Sequence, residues 1–184
     1  MGRAHSRLAH SALLSLQSKT HFEKKEILSW HDHFLKQHPS GYITRQTLAN
    51  TYKQYYPYGN ALPFVDALLR VLQPEVPDRI SFHEFMAALS VTARGTLEEK
   101  LDWAFKFYDQ DADDQITPAD VQLAVQAIGQ LVGPALQGKV QEPGELFQAM
   151  DLEKVGRVDR ATFKEAAKLD PLVVQALILY DGVL

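Results

Sequence analysis

Four short segments of this chain align on one apolar β-branched residue: Ile43 in KQHPSGYITRQT, Ile80 in QPEVPDRISFHE, Ile116 in DQDADDQITPAD and Val158 in DLEKVGRVDRAT. Successive members of the set lie 37, 36 and 42 residues apart. Such a period marks a repeated supersecondary unit that cannot bury a core alone and must pack against its neighbours. Amphipathic stretches flank the segments. EKKEILSWHDHFLK sets Ile27, Trp30, His31 and Phe34 at helical spacing, and LEEKLDWAFKFY does the same with Leu97, Leu101, Ala104, Phe105 and Tyr108. Each repeat therefore reads as helix, loop, helix. The expected fold is all-α: four units in two pairs, the aligned residues of each pair meeting in a short two-stranded antiparallel ribbon.

The third segment carries the chemistry. Counting Asp109 as the first loop position, carboxylates fall at the first (Asp109), third (Asp111), fifth (Asp113) and twelfth (Asp120), with the Gln115 carbonyl at the seventh and Thr117 at the ninth. A loop folding around a hard cation aims alternate oxygens inward and closes the shell from the seventh and twelfth positions, which is the EF-hand pattern. Two departures bear on the ion. Asp114 stands at the sixth position, where glycine is usual, and holding it in the left-handed conformation costs about 1 kcal/mol. Asp120 has a shorter arm than the usual glutamate, so a six-coordinate shell with retained water, as magnesium prefers, gains on calcium. The expectation is one calcium or magnesium ion, held by Asp109, Asp111, Asp113, Gln115 and Asp120.

The other loops lack ligands. The first has Lys36, Pro39 and Thr47 at its first, fourth and twelfth positions; the second has Gln73 and Pro77 at its first and fifth, although Glu75 and Glu84 remain; the fourth has Val155 and Thr162 at its fifth and twelfth. All three are expected to be empty.

A chain of 184 residues, 46% hydrophobic and 23% charged, is ordinary for one or two small globular domains. Gly95, in VTARGTLEEK, is the expected joint between an N-terminal pair over 1–94 and a C-terminal pair over 95–184. Gly129, Gly133, Pro134, Gly138, Pro143 and Gly144 mark a longer connection within the second pair. With no cysteine there is no disulfide framework, thiol nucleophile or cysteine zinc site. A net charge of −4 gives no case for nucleic-acid binding. No apolar run approaches a membrane span, and a cytoplasmic protein is expected. His31, His33 and His38 are expected on the surface rather than as a metal cluster, since neighbours two apart on a helix point to different faces. Nothing in the residues supports an enzyme.

The start MGRAHS fits the N-myristoylation pattern, placing the acyl group on Gly2. One such chain binds membranes marginally, and Arg3, Arg7 and Lys19 would each add roughly 1 kcal/mol near an anionic surface.

With the repeat, the segments MGRAHSRL, KTHFEKKEILSWH, YKQYYPYG, ALSVTARGTLEEKLDWAF and DPLVVQALILYDGVL make the chain similar to the neuronal calcium sensor family over nearly its whole length. In that family the first loop is disabled and the other three usually bind calcium, a pattern the second and fourth loops here depart from. The resemblance implies a peripheral membrane protein of the Golgi or plasma membrane that takes a target helix into an apolar groove, with phosphatidylinositol 4-kinase the leading target. The matching groove residues are Trp30, Phe34, Leu48, Tyr52, Tyr55, Phe85 and Leu89, extended by Val125 and Ile128. Apolar periodicity alone does not separate groove from core at these positions. Thr51, Tyr55 and Tyr56 make the lining more polar than is usual in the family. The C-terminal LVVQALILYDGVL is apolar almost all round and is expected either to complete the second pair's core or to shield Phe85 and Leu89 in the groove until a partner displaces it. The alternative to an adaptor is a single-site cation buffer or structural protein; retained aromatic groove positions and at most one good ion site favour the adaptor.

Overall fold

The computed structural model describes residues 8–134 and 142–170. Gly2, Gly138 and the C-terminal LVVQALILYDGVL lie outside them. The first pair comprises α2 (Lys24–Gln37), β1 (Tyr42–Thr44) and α3 (Arg45–Tyr55), followed by α4 (Leu62–Leu72), β2 (Arg79–Ser81) and α5 (Phe82–Arg94). The second repeats the plan: α6 (Leu97–Tyr108), β3 (Gln115–Ile116) and α7 (Pro118–Val132), then α8 (Pro143–Met150), β4 (Val158–Asp159) and α9 (Arg160–Leu169). An additional helix, α1 (His10–Lys19), precedes them and buries Leu13 and Leu16. The result is two EF-hand pairs.

The ribbons have the register expected from the repeat. Ile43 pairs with Ile80 in one and Ile116 with Val158 in the other, both antiparallel. All four residues are buried. The loops also share a backbone turn that their ligands do not explain. At the sixth position, φ is 81° at Gly41, 60° at Asp78, 63° at Asp114 and 79° at Gly156. The ninth position of every loop supplies the N-cap of the exiting helix, from Thr44, Ser81, Thr117 and Asp159. The EF-hand backbone therefore persists where cation ligands are missing.

The two pairs pack chiefly through α4 and α7. Helix α4 is apolar nearly all round and buries Phe64, Val65, Ala67, Leu68, Leu69 and Val71, as a helix covered on several sides must. Phe64 touches Tyr52 within its own pair (5.1 Å between ring centroids) and Phe107 of the other (5.5 Å). Beside this seam the turn between α3 and α4 lies against the end of α7, where the Asn60 amide donates to the Gln130 carbonyl at 2.7 Å. A further tie forms at the α5–α6 joint: Arg94 pairs with Glu26, stacks on Phe22 and donates to the His21 carbonyl, while His21 pairs with Glu99 at 3.0 Å.

Three expectations are corrected. His31 is buried, its ring 4.9 Å edge-on from Phe82, because it continues the Ile27–Phe34 stripe of α2. Leu97 is 60% exposed, since it opens the first turn of α6 outside the packed seam. Gly129 and Gly144 belong to helices α7 and α8, so the long connection is shorter than the glycines imply; Pro143 is tolerated in the first turn of α8, where its missing N–H would be unpaired anyway.

Candidate metal loop and apolar cleft

In the third loop Asp109, Asp111 and Asp113 bring carboxylate oxygens within 4.8 Å of one another. Asp109 is buried and the other two are exposed. The Asp109 oxygens accept the Asp113 and Asp114 amides, each at 3.2 Å. Burial pushes the Asp109 carboxyl above its ordinary value; the two amides oppose this, and the charges of Asp113 and Asp111 reinforce it. Three crowded hard oxygens are a donor set that fits calcium or magnesium. Gln115 begins the ribbon opposite Asp159. Asp120 stands apart from the triad: its Oδ2 accepts the Thr117 amide at 2.9 Å and hydroxyl at 2.5 Å, forming a capping box at the start of α7. Its cap role is thus present before any ion is considered.

Two other loops show related hydrogen bonds. Glu84, the twelfth residue of the second loop, accepts the Glu75 amide through Oε1 at 2.7 Å, and the Ser81 amide and hydroxyl through Oε2 at 2.6 and 2.8 Å. The carboxylate that would close a coordination shell closes the loop by itself. In the fourth loop Asp151 accepts the Val155 and Gly156 amides at 3.0 and 2.8 Å, repeating the Asp109 arrangement with an apolar residue at the fifth position.

The groove residues predicted from sequence do not share one environment. Trp30, Phe34, Leu48 and Phe85 line one cleft of ≈ 200 Å³ together with His33, Gln37, His38, Ile43 and Thr51. Its aromatic rings touch, with Trp30–Phe85 centroids at 5.9 Å and Phe34–Phe85 at 5.4 Å. Burial pushes the His38 imidazole below its ordinary value. Tyr52 and Leu89 are buried in the core, and Tyr55 is 56% exposed at the end of α3. Val125 lines a second cavity with Tyr58, Asn60 and Gly133, while Ile128 is partly buried against the core.

Sequence reading missed the charged residues that join the units. Arg160, at the tenth position of the fourth loop, pairs with Asp114 of the third loop at 2.5 Å and with Asp102 of α6 at 3.4 Å, its guanidinium 4.4 Å over the Phe105 ring. Lys164 bridges Asp102 and Glu98, and Lys168 reaches Glu98. The available signal was spacing: Arg160, Lys164 and Lys168 recur every fourth residue, as do Glu98 and Asp102.

No family model matches the chain. Among characterised proteins it is 37% identical over 188 aligned positions to neuronal calcium sensor 1 of Lymnaea stagnalis, covering 99% of this chain and 98% of that one. Neuronal calcium sensor 1 of Aplysia californica matches with the same identity and coverage.

Proposed function

Since this chain belongs to the neuronal calcium sensor (frequenin) family, we propose that it is a non-enzymatic regulatory adaptor holding an amphipathic helix of a target in the cleft between α2, α3 and α5, with little dependence on calcium. One observation carries the reading: Trp30, Phe34 and Phe85 gather at a cleft that Leu48 and Ile43 complete. Apolar anchors spaced along one face of a helix are what such a cleft accepts. Weak calcium dependence is read from the second loop, where Gln73 and Pro77 stand at the first and fifth ligand positions. A single calcium or magnesium ion is assigned to the third loop, where Asp109, Asp111 and Asp113 converge, with the Gln115 carbonyl and Asp120 as the remaining family ligands. The ion would supply positive charge to a crowded acidic turn.

The target proposed is a phosphatidylinositol 4-kinase, at the cytoplasmic face of the Golgi or plasma membrane. Myristoylation of Gly2 supplies the membrane contact. No helix among the described residues is long and apolar enough to cross a bilayer.

The test combines two measurements. Calorimetry should find one divalent ion per chain, with magnesium competing against calcium and Asp109→Ala abolishing the heat. Acylated protein should capture the kinase equally in calcium and in chelator, and Trp30→Ala should lose the capture while keeping its helical circular dichroism. Capture only in calcium, capture that survives Trp30→Ala, or two or more ions per chain would overturn the reading.

A further inference from the structure

Resting on the assignment of the ion to the third loop, we propose that Arg160 is a positioning residue for that loop: delivered from the fourth unit, its guanidinium holds Asp114 in the left-handed turn that glycine would otherwise make freely. Asp114 has φ 63°, a conformation side chains disfavour. Its carboxylate pairs with Arg160, which is itself fixed by the Phe105 ring and Asp102. With the turn held, the Asp113 and Asp114 amides stay directed at Asp109.

The first pair also sets an arginine beside a sixth-position aspartate, but there the contact is made by the backbone and not by the guanidinium. There the second loop has Asp78 at its sixth position with φ 60°, and the tenth residue of its partner loop is again an arginine, Arg45. The Arg45 amide donates to the Asp78 carbonyl at 2.9 Å, and its guanidinium pairs with Asp66 at 2.5 and 2.7 Å. Asp66 and Asp102 both lie seven residues before the first position of their loops. The loops that keep glycine at the sixth position, through Gly41 and Gly156, have Phe82 and Pro118 at the corresponding partner position. Arginine therefore accompanies the non-glycine turn in both pairs and is absent opposite the glycine turns. A planar guanidinium suits the task because it can stack on a ring while its fork reaches two carboxylates.

The experiment compares Arg160→Gln in the natural background and in Asp114→Gly, with Arg160→Met as a second variant that keeps the apolar stem over Phe105. In chelator, amide hydrogen exchange at Asp113 and Asp114 should quicken in both Arg160 variants. Calcium affinity should fall about two- to fivefold, the range of a partly exposed ion pair. In Asp114→Gly, replacing Arg160 should leave calcium affinity unchanged or raise it, because glycine needs no support and the remaining cation only repels the ion. Unchanged exchange, or an equal loss of affinity in both backgrounds, overturns the proposal. If the natural protein binds no ion, the assignment of the third loop fails, while the exchange measurement still decides the role of Arg160.

Discussion

A left-handed residue at the sixth position recurs in loops with and without ligands, so backbone conformation here is tied to helix geometry rather than to metal. At the same scale, Tyr52 is fully buried against Phe64 with a hydroxyl that has no hydrogen-bond partner among the described residues. Burial pushes its phenol far above the ordinary value, so the group remains neutral. An unsatisfied buried hydroxyl is a standing penalty of about 1–3 kcal/mol. Tyr52→Phe keeps the ring and removes the penalty, and urea denaturation should therefore find it as stable as the natural chain or more so. A loss of stability would mean that the hydroxyl has a role in the fold.

Among the elements, the charge ladder between α6 and α9 has a defined pH response. Lys168 and then Lys164 hold the Glu98 carboxyl below its ordinary value of 4.5. A depressed carboxylate adds stability above the unfolded-state value and loses it as pH falls through the folded-state value. Melting curves of the natural protein and Glu98→Gln should differ at neutral pH and converge in acid below 4.5. The gap should also shrink with salt, because these groups face solvent. The loops show a second economy of elements: Glu84 and Asp120 cap their exit helices with the same carboxylates that the EF-hand plan assigns to the ion. Replacing Glu84 by alanine should lower stability by about 1 kcal/mol or more through the lost cap. With the ion assigned to the third loop, ion stoichiometry by calorimetry should be unaltered.

At the scale of the molecule, the relation of the two pairs depends on a close backbone approach. A Cβ on Gly59 would lie 1.7 Å from the Leu131 carbonyl oxygen and 2.8 Å from that of Gln130. Neither obstacle is the end of a flexible side chain. Gly59→Ala should therefore separate the α3–α4 turn from α7 and cost about 2 kcal/mol or more. Urea unfolding would register that loss, and amide exchange at Asn60 would quicken with it. Unchanged stability would show that the two pairs do not depend on this contact.

The repeat alone determined the four units, the Ile43–Ile80 and Ile116–Val158 pairings and the helices around them, because these follow from residues close in sequence and from a period of two or 3.6 residues. It also located the acidic triad, whose members sit within one loop. Apart from the ribbon pairings, which the repeat implies, tertiary structure decided what needed two distant segments. Which apolar helical residues border the cleft depended on their neighbours: Phe34, Leu48 and Phe85 are buried like Tyr52 and Leu89, yet they alone join half-buried Trp30 along one opening. His31 lies on the buried Ile27–Phe34 stripe of α2, and the ring it meets there, Phe82, comes from far along the chain. Arg160 looks like an ordinary surface charge in sequence; its ion pair with Asp114 of a neighbouring loop exists only once the ribbon sets the loops side by side.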